Sequence, residues 1–278
     1  MLKLSSHSLD LIRLALEEDI GKGDVTSNLL IPSRARGKAV LMANEKGIFC
    51  GEPVAREILR KVDPALNLEF FIRDGKYFSR NKAILKMTGN VRSLLKAERT
   101  LVNFLAHLSG IATRTRTFID RMKRCPVLIL DTRKTTPGMR ELEKYAVKTG
   151  GGRNHRMGLY DAVFVKENHR PAGDFTRLKK FAGRFEIEVR NMQELKEALR
   201  LRPRIVLFDN FKPADLRRAV RFARAEAPHI ILEASGGINL DNVAHYAAMG
   251  VDWLSVGALT HSAPALDFSL DIMNDESL

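Results

Sequence analysis

At 278 residues and 45% apolar content, the chain can build one large or two modest hydrophobic cores, which excludes a disordered tail or a small disulfide scaffold. Lys and Arg number 46 against 33 Asp and Glu, a formal charge of +13, so the partners this charge admits are nucleic acid, an acidic membrane surface or small multiply charged molecules. Its two cysteines, Cys50 and Cys125, stand in no CxxC pair and near no His pair, which argues against a zinc site or disulfide framework and for a reducing cytoplasm.

The N-terminal stretch MLKLSSHSLDLIRLALEEDIG carries charges among its apolar positions and reads as a capped surface helix rather than a signal peptide. From about residue 24 to 90 the runs KAVLMANEKGIFC, NLEFFIRDG and AILKMTG read as strands around a helix, EPVAREILRKV, and suggest a small α+β domain. A long helical pattern, SLLKAERTLVNFLAHLSGIATRTRTFIDRMKR, follows, and the domain boundary is expected within it, giving domains at 1–108 and 109–278. Its uncharged stretch, Thr100 to Thr113, is too short and polar to span a bilayer.

After residue 126, β-rich runs alternate with helical ones. PVLILDTRK, DAVFVKENH, FEIEVRN, RIVLFDN, HIILEASGG and DWLSVGALTHS read as strands, with helices between them bounded by Gly, Pro or Asp. Such a rhythm makes a parallel sheet, open or closed into a barrel. A last helix, 264–278, is expected to pack back against the first domain.

Each of these strands ends on a polar or glycine residue: Asp131 with Arg133 and Lys134, then Lys166, Glu188, Asp209, Glu233 with Ser235, and Gly257. A barrel gathers such ends at one mouth, so residues scattered along the chain become one constellation. The segment 131–156 adds Arg140, Lys144, Lys148, Arg153, His155 and Arg156, a density of cations suited to a small polyanion. SGGI at 235–238 and SVGAL at 255–259 are glycine turns of the kind that hold phosphate on backbone N–H groups at a helix start. Glu188 and Asp209 close consecutive strands, and oxygen ligands so placed suit Mg2+, although pairing with nearby cations would also satisfy them. His155 is the histidine best placed for a site, as a hydrogen-bond donor to an anion; His107, His229 and His245 read as packing or surface residues. DIGKGD at Asp19 begins like a calcium loop, but the twelfth position is Leu30.

These segments resemble the quinolinate phosphoribosyltransferase family: EDIGKGDVTS at 18–27, AERTLVNFLAHLSGIAT at 97–113, DTRKTTPGMR at 131–140, GGGRNHRMGLYD at 150–161, KENH at 166–169, LFDN at 207–210, EASGGI at 233–238 and SVGALTHS at 255–262. The resemblance implies an N-terminal α+β open sandwich followed by an incomplete (β/α) barrel, as in type II phosphoribosyltransferases, and a homodimer that shares its active sites. It implies transfer of phosphoribosyl to quinolinate with decarboxylation, in NAD biosynthesis. Residues matching Arg99, Arg133, His155, Arg156 and Lys166 would surround quinolinate, with Arg99 supplied by the partner subunit and Lys134 in the same wall. Residues matching Glu188 and Asp209 would face the ribose and magnesium, and Ser235, Gly236, Gly237 and Gly257 the phosphates. Lys134, Lys166, Glu188 and Asp209 are the expected catalytic groups.

Two positions depart from the family pattern: Glu167, where Asp is commoner, and Glu52, where an apolar residue is commoner. Competing expectations are the related pyrophosphorylase-like protein associated with molybdenum transport and, from the +13 charge, a nucleic-acid binder using RRAVRFARAEA and EALRLRPR. Neither nucleic acid nor membrane is the expected partner, because the basic runs read as solvated helix faces.

Overall fold

The computed structural model describes residues 2–123, 125–181 and 183–274. Among these no helix is long and apolar enough to cross a membrane. They form two compact units, the first comprising residues 1–116, 136–151 and 262–278 and the second 117–135 and 152–261.

In the first unit, α1 (Ser6–Ile20) is capped by the Ser5 hydroxyl, which accepts from the Ser8 N–H, and α2 (Val25–Leu30) by Asp24, which accepts from the Ser27 N–H. Asp24, the last residue of the calcium-like run DIGKGD, is therefore a helix cap. β1 (Arg36–Ala43), β3 (Asn67–Phe70), β5 (Lys82–Asn90) and β12 (Phe268–Asn274) form an antiparallel sheet in the order β12-β1-β5-β3, and β2 (Gly47–Ile48) pairs with β4 (Tyr77–Phe78). Strand β1 alternates, burying Ala39, Leu41 and Ala43, as the period-two side-chain rule requires of a sheet with one covered face. Helix α3 (Glu52–Val62) starts on Glu52, almost fully buried and held by Arg56 at 2.8 Å and by Arg73. That departure is thus a structural ion pair at a helix N-terminus, where negative charge is favourable.

Two expectations about this unit are corrected. Segment 264–278 is not a helix: it contributes β12, whose Phe268, Leu270 and Ile272 recur every second residue, and residues 275–278 lie outside the described residues. Nor does 109–278 form a unit by itself. Helix α5 (Arg140–Thr149) belongs to the first unit, where Glu141 accepts from the Ser5 N–H and Glu143 sits 2.9 Å from His107 Nε2.

The second unit begins in the last turn of α4 (Val91–Arg121). It contains six parallel strands in the order β6-β11-β10-β9-β8-β7: β6 (Leu128–Leu130), β7 (Val163–Val165), β8 (Phe185–Val189), β9 (Ile205–Asp209), β10 (Ile231–Ser235) and β11 (Trp253–Ser255). Neighbours follow chain order except that β6 pairs with β11, which is a barrel left open between β6 and β7. A single parallel bridge from Leu130 to Arg153 partly spans that gap. Helices α6 (Thr176–Lys180), α7 (Met192–Leu199), α8 (Pro213–Glu226), α9 (Val243–Ala247) and α10 (Ala258–His261) make the connections. Buried Val206, Phe208, Leu216, Ala219, Leu232 and Leu254 join strands to their cover; truncating Phe208 would cost about 3–5 kcal/mol as transfer and cavity terms combine.

Candidate active site

The strand register builds the mouth of the open barrel. Leu130, Ser255, Ser235 and Asp209 are successive partners across β6, β11, β10 and β9, so residues 125 positions apart in the chain finish level with one another. The residues that follow them enclose a cavity of about 720 Å³. Four cations face it, Arg133, Lys134, Arg156 and Lys166, together with the carboxylates of Glu188 and Asp209. The turns Ser235–Gly237 and Gly257 complete the lining with His155. Every expected barrel residue is therefore in one place. Arg99 is in the first unit, on α4, with its side chain exposed and its guanidinium 3.6 Å from Glu98. Arg140, Lys144 and Lys148 ride on α5 of that same unit, whereas Arg153 bridges to β6.

Phe164 organises two of the cations. The Arg156 guanidinium lies 4.9 Å from its ring centre and Lys166 Nζ 4.7 Å from it, distances at which the ring quadrupole attracts positive charge. Arg156 Nη1 also donates to the Ala162 carbonyl at 3.2 Å, and Lys166 Nζ to Glu188 Oε2 at 3.1 Å. Burial, and then the Arg133 charge, lower the Arg156 pKa, with Glu186 and Asp161 opposing. Guanidinium stays protonated through any such shift. Glu188 moves the other way: burial, followed by a hydrogen bond with Glu167, raises it to about 7 against the pull of Lys166. Glu167 thus reaches the mouth carboxylate, and that hydrogen bond lowers its own pKa.

Glycine is required here for definite steric reasons. A Cβ on Gly257 would sit 3.1 Å from the Lys134 stem and from His261 Nε2, so a side chain there would push the lysine aside. Gly236 has φ +93° and its absent Cβ would overlap the Asn210 amide, while Asn210 N–H donates to Ser235 O at 2.9 Å. Gly237, at φ +64°, has open space beside it, and Asn242 Nδ2 donates to its carbonyl at 2.9 Å. The helices after these turns, α9 and α10, have only 5 and 4 residues. An anion at these turns would rest on the backbone N–H groups that the sequence reading names, with little contribution from a helix dipole, which needs more aligned peptides.

Beneath the mouth lies a layer the sequence reading passes over. Glu186 and Glu233 are almost completely buried; His155 Nε2 is 3.0 Å from Glu186 Oε2 and 3.7 Å from Glu233 Oε1. Burial, and next the Glu186 charge, push Glu233 up to about 8, with His155 opposing. His155 Nδ1 accepts the Arg156 N–H at 2.8 Å, and the His155 N–H donates to Asp131 Oδ1 at 2.9 Å. Both ring nitrogens are thus engaged within the protein, which differs from the expected role as donor to a bound anion. Glu186 is legible in principle: in FEIEV the two glutamates are two apart on a strand, hence on one face, and Glu188 is the one expected at the mouth.

Family models for the quinolinate phosphoribosyl transferase N-terminal and C-terminal domains match residues 24–109 and 111–271. The chain belongs to the quinolinate phosphoribosyltransferase family. It is 39% identical over 273 residues to the nicotinate-nucleotide pyrophosphorylase [carboxylating] of Mycobacterium leprae, covering 95% of this chain and 96% of that one. It is 39% identical to the probable enzyme of the same name from Methanocaldococcus jannaschii, with 97% and 99% covered. Among solved structures, the nicotinate-nucleotide pyrophosphorylase from Francisella tularensis superposes with a TM-score of 0.90 at 38% identity over 98% of both chains. Within this member of the family, the cationic mouth is the feature that distinguishes the second unit from an ordinary parallel sheet.

Proposed function

We propose that the barrel mouth performs the family's reaction with a division of labour between its two sides. The reaction itself, transfer of phosphoribosyl from phosphoribosyl pyrophosphate to quinolinate with decarboxylation, yields nicotinate mononucleotide, pyrophosphate and CO2. Quinolinate carries two carboxylates, and the planar forks of Arg133 and Arg156 bind carboxylates bidentately while Lys134 and Lys166 contribute point charges. On the other side, Ser235, Gly236, Gly237 and Gly257 receive phosphate through backbone N–H groups. The observation that carries this reading is the coexistence of four cations, three carboxylates (Glu188, Asp209 and the deeper Glu233) and two glycine turns in one cavity.

The carboxylates suit a divalent cation. Glu188 is held above its ordinary pKa by burial and by its neighbours Glu167 and Asp209, a cost that an ion such as Mg2+ would relieve. Glu188 and Asp209 would hold it, and when bound it supplies charge neutralisation for the departing pyrophosphate. Positive charge develops at the ribose carbon as pyrophosphate leaves, and Glu188 and Asp209 stabilise it as carboxylates stabilise glycosyl cations. The pyridine nitrogen attacks that carbon. The resulting pyridinium stabilises the electron pair left on the ring carbon when the adjacent carboxylate leaves as CO2, that carbon then takes a proton from water to give nicotinate mononucleotide, and the surrounding cations hold the ring in place.

Exposed Arg99 fits the further proposal of a homodimer in which each subunit lends this arginine to its partner's wall. The unpaired Cys50 and Cys125 suit the reducing cytoplasm. Purified protein supplied with quinolinate, phosphoribosyl pyrophosphate and Mg2+ should release nicotinate mononucleotide and labelled CO2, and nicotinate should substitute poorly because it lacks the second carboxylate. Absence of turnover with quinolinate, or equal turnover of the two acids, would overturn this assignment.

A further inference from the structure

Arg156 is held from behind as well as along its side chain. Its N–H donates to Nδ1 of the preceding residue, His155, at 2.8 Å. A ring nitrogen that accepts carries no proton, so the neutral imidazole has its proton on Nε2. That atom lies 3.0 Å from Glu186 Oε2, deep in the barrel where Glu186 is 4% exposed. Three groups therefore stand in line: a buried carboxylate, an imidazole and the peptide that carries the wall arginine.

We propose that Glu186 is a positioning residue for the substrate wall: by accepting the Nε2 proton of His155 it fixes the imidazole tautomer whose Nδ1 holds the Arg156 peptide, and so aims the guanidinium. The assignment of quinolinate to Arg156 is the reading on which its functional half rests. Glu186 itself lines no part of the cavity, and Asp131, which accepts the His155 N–H, anchors the same loop from the β6 side.

Two other uses of the cluster are incompatible with this geometry. His155 Nε2 and the Glu186 and Glu233 oxygens lie within 4.8 Å of one another, a set able to ligate a metal. A metal on Nε2 leaves the imidazole proton on Nδ1, where it would point at the Arg156 N–H, donor against donor. Imidazolium fails for the same reason, since both of its nitrogens donate. Glu233, 3.7 Å from Nε2 and with neither oxygen hydrogen-bonded among the described residues, then serves best as the member of the cluster that keeps its proton. Two ionised carboxylates that close in an apolar interior would repel strongly, and one shared proton removes the repulsion. The remaining negative charge lies beneath the cationic wall and offsets part of it.

The test is twofold. Nitrogen-15 NMR of histidine-labelled protein, with the His155 resonances assigned through His155→Gln, should show an unprotonated Nδ1 and a protonated Nε2, unaltered by stoichiometric Zn2+. An Nδ1–H tautomer, an imidazolium or a zinc-dependent shift at Nε2 overturns the proposal, whatever the pocket binds. In steady-state kinetics, Glu186→Leu should raise the quinolinate KM about tenfold or more while the phosphoribosyl pyrophosphate KM stays within about twofold, and Glu186→Gln, which keeps an acceptor oxygen, should recover most of that loss. Parallel increases in both KM values, or no advantage of Gln over Leu, would make Glu186 a mere packing group. Should the leucine variant fail to fold, the tautomer in wild type and in Glu186→Gln decides. A wild-type protein with the stated tautomer but no affinity for quinolinate would refute the substrate assignment and leave the relay standing.

Discussion

Replacing Arg156 by Lys keeps the charge and removes the geometry, which makes it the sharpest single test of the cationic wall. The guanidinium carbon lies 4.9 Å from the Phe164 ring centre and Nη1 donates to the Ala162 carbonyl, which leaves the other nitrogens to meet a carboxylate as a fork. A fork makes two charge-assisted hydrogen bonds of about 1.5–3 kcal/mol each, of which a lysine retains one. Loss of the guanidinium–ring contact removes about 0.5–1 kcal/mol more. Together these weaken quinolinate binding by about 2–4 kcal/mol, or roughly 30- to 700-fold at 1.4 kcal/mol per decade. Calorimetric titration of quinolinate and the quinolinate KM at saturating phosphoribosyl pyrophosphate should both report it, with the second substrate's KM within about threefold of wild type. A change under twofold for quinolinate, or matching losses for both substrates, would refute the reasoning that the arginine acts as a planar fork.

Arg133→Ala should likewise weaken quinolinate far more than phosphoribosyl pyrophosphate, and calorimetry with each ligand in turn checks it; equal losses would show that the wall is misassigned. Mixed dimers of an Arg99→Ala chain with a separately inactivated Lys166→Ala chain should recover partial activity if the arginine crosses between subunits, and failure to complement counts against the shared site. Gly236→Ala forces a Cβ into the Asn210 amide at a positive φ, whereas Gly237→Ala meets open space, so the first should lower the unfolding free energy from urea titration by the larger amount, about 1–3 kcal/mol, and comparable losses would contradict the packing argument. Glu233 is raised from 4.5 to about 8 on folding, so between those pH values the native state binds more protons than the unfolded one and stability falls as pH rises. Glu233→Gln should therefore gain stability relative to wild type on moving from about pH 5 to pH 8.5, and a pH-independent difference between their urea midpoints would sink this account.

Much of the barrel was legible because its signals are local and periodic. The six strands are apolar runs ended by charge or glycine, and a parallel sheet places all such ends on one rim, so Lys166, Glu188, Asp209 and Ser235 could be grouped without coordinates. What escaped depends on partners far away in the chain. PALDFSLDIMN reads as a helix when taken alone, yet its period of two selects a strand once β1 offers an edge. Segment 136–151 is flanked on both sides by barrel sequence, and bonds to distant Ser5, His7, Ser8, Asp74 and His107 assign it to the first unit. Glu186 was overlooked because a glutamate inside a strand reads as solvent-facing until the opposite face is also seen to be buried. His155 was located correctly, but which of its nitrogens is engaged, and by what, is a fact of three dimensions.

The pairing of β12 with β1 sets an order of events during synthesis. Residues 36–43 leave the ribosome long before 268–274, and the six parallel strands emerge in between. For that interval the sheet of β1, β5 and β3 presents the backbone groups of β1 as an unprotected edge, the kind of surface that recruits other strands. The barrel can therefore close first, and the first unit matures only when its final strand arrives. A nascent chain stalled before Phe268 would carry a formed mouth beside an adhesive sheet, and its fate would depend on how soon that edge is covered.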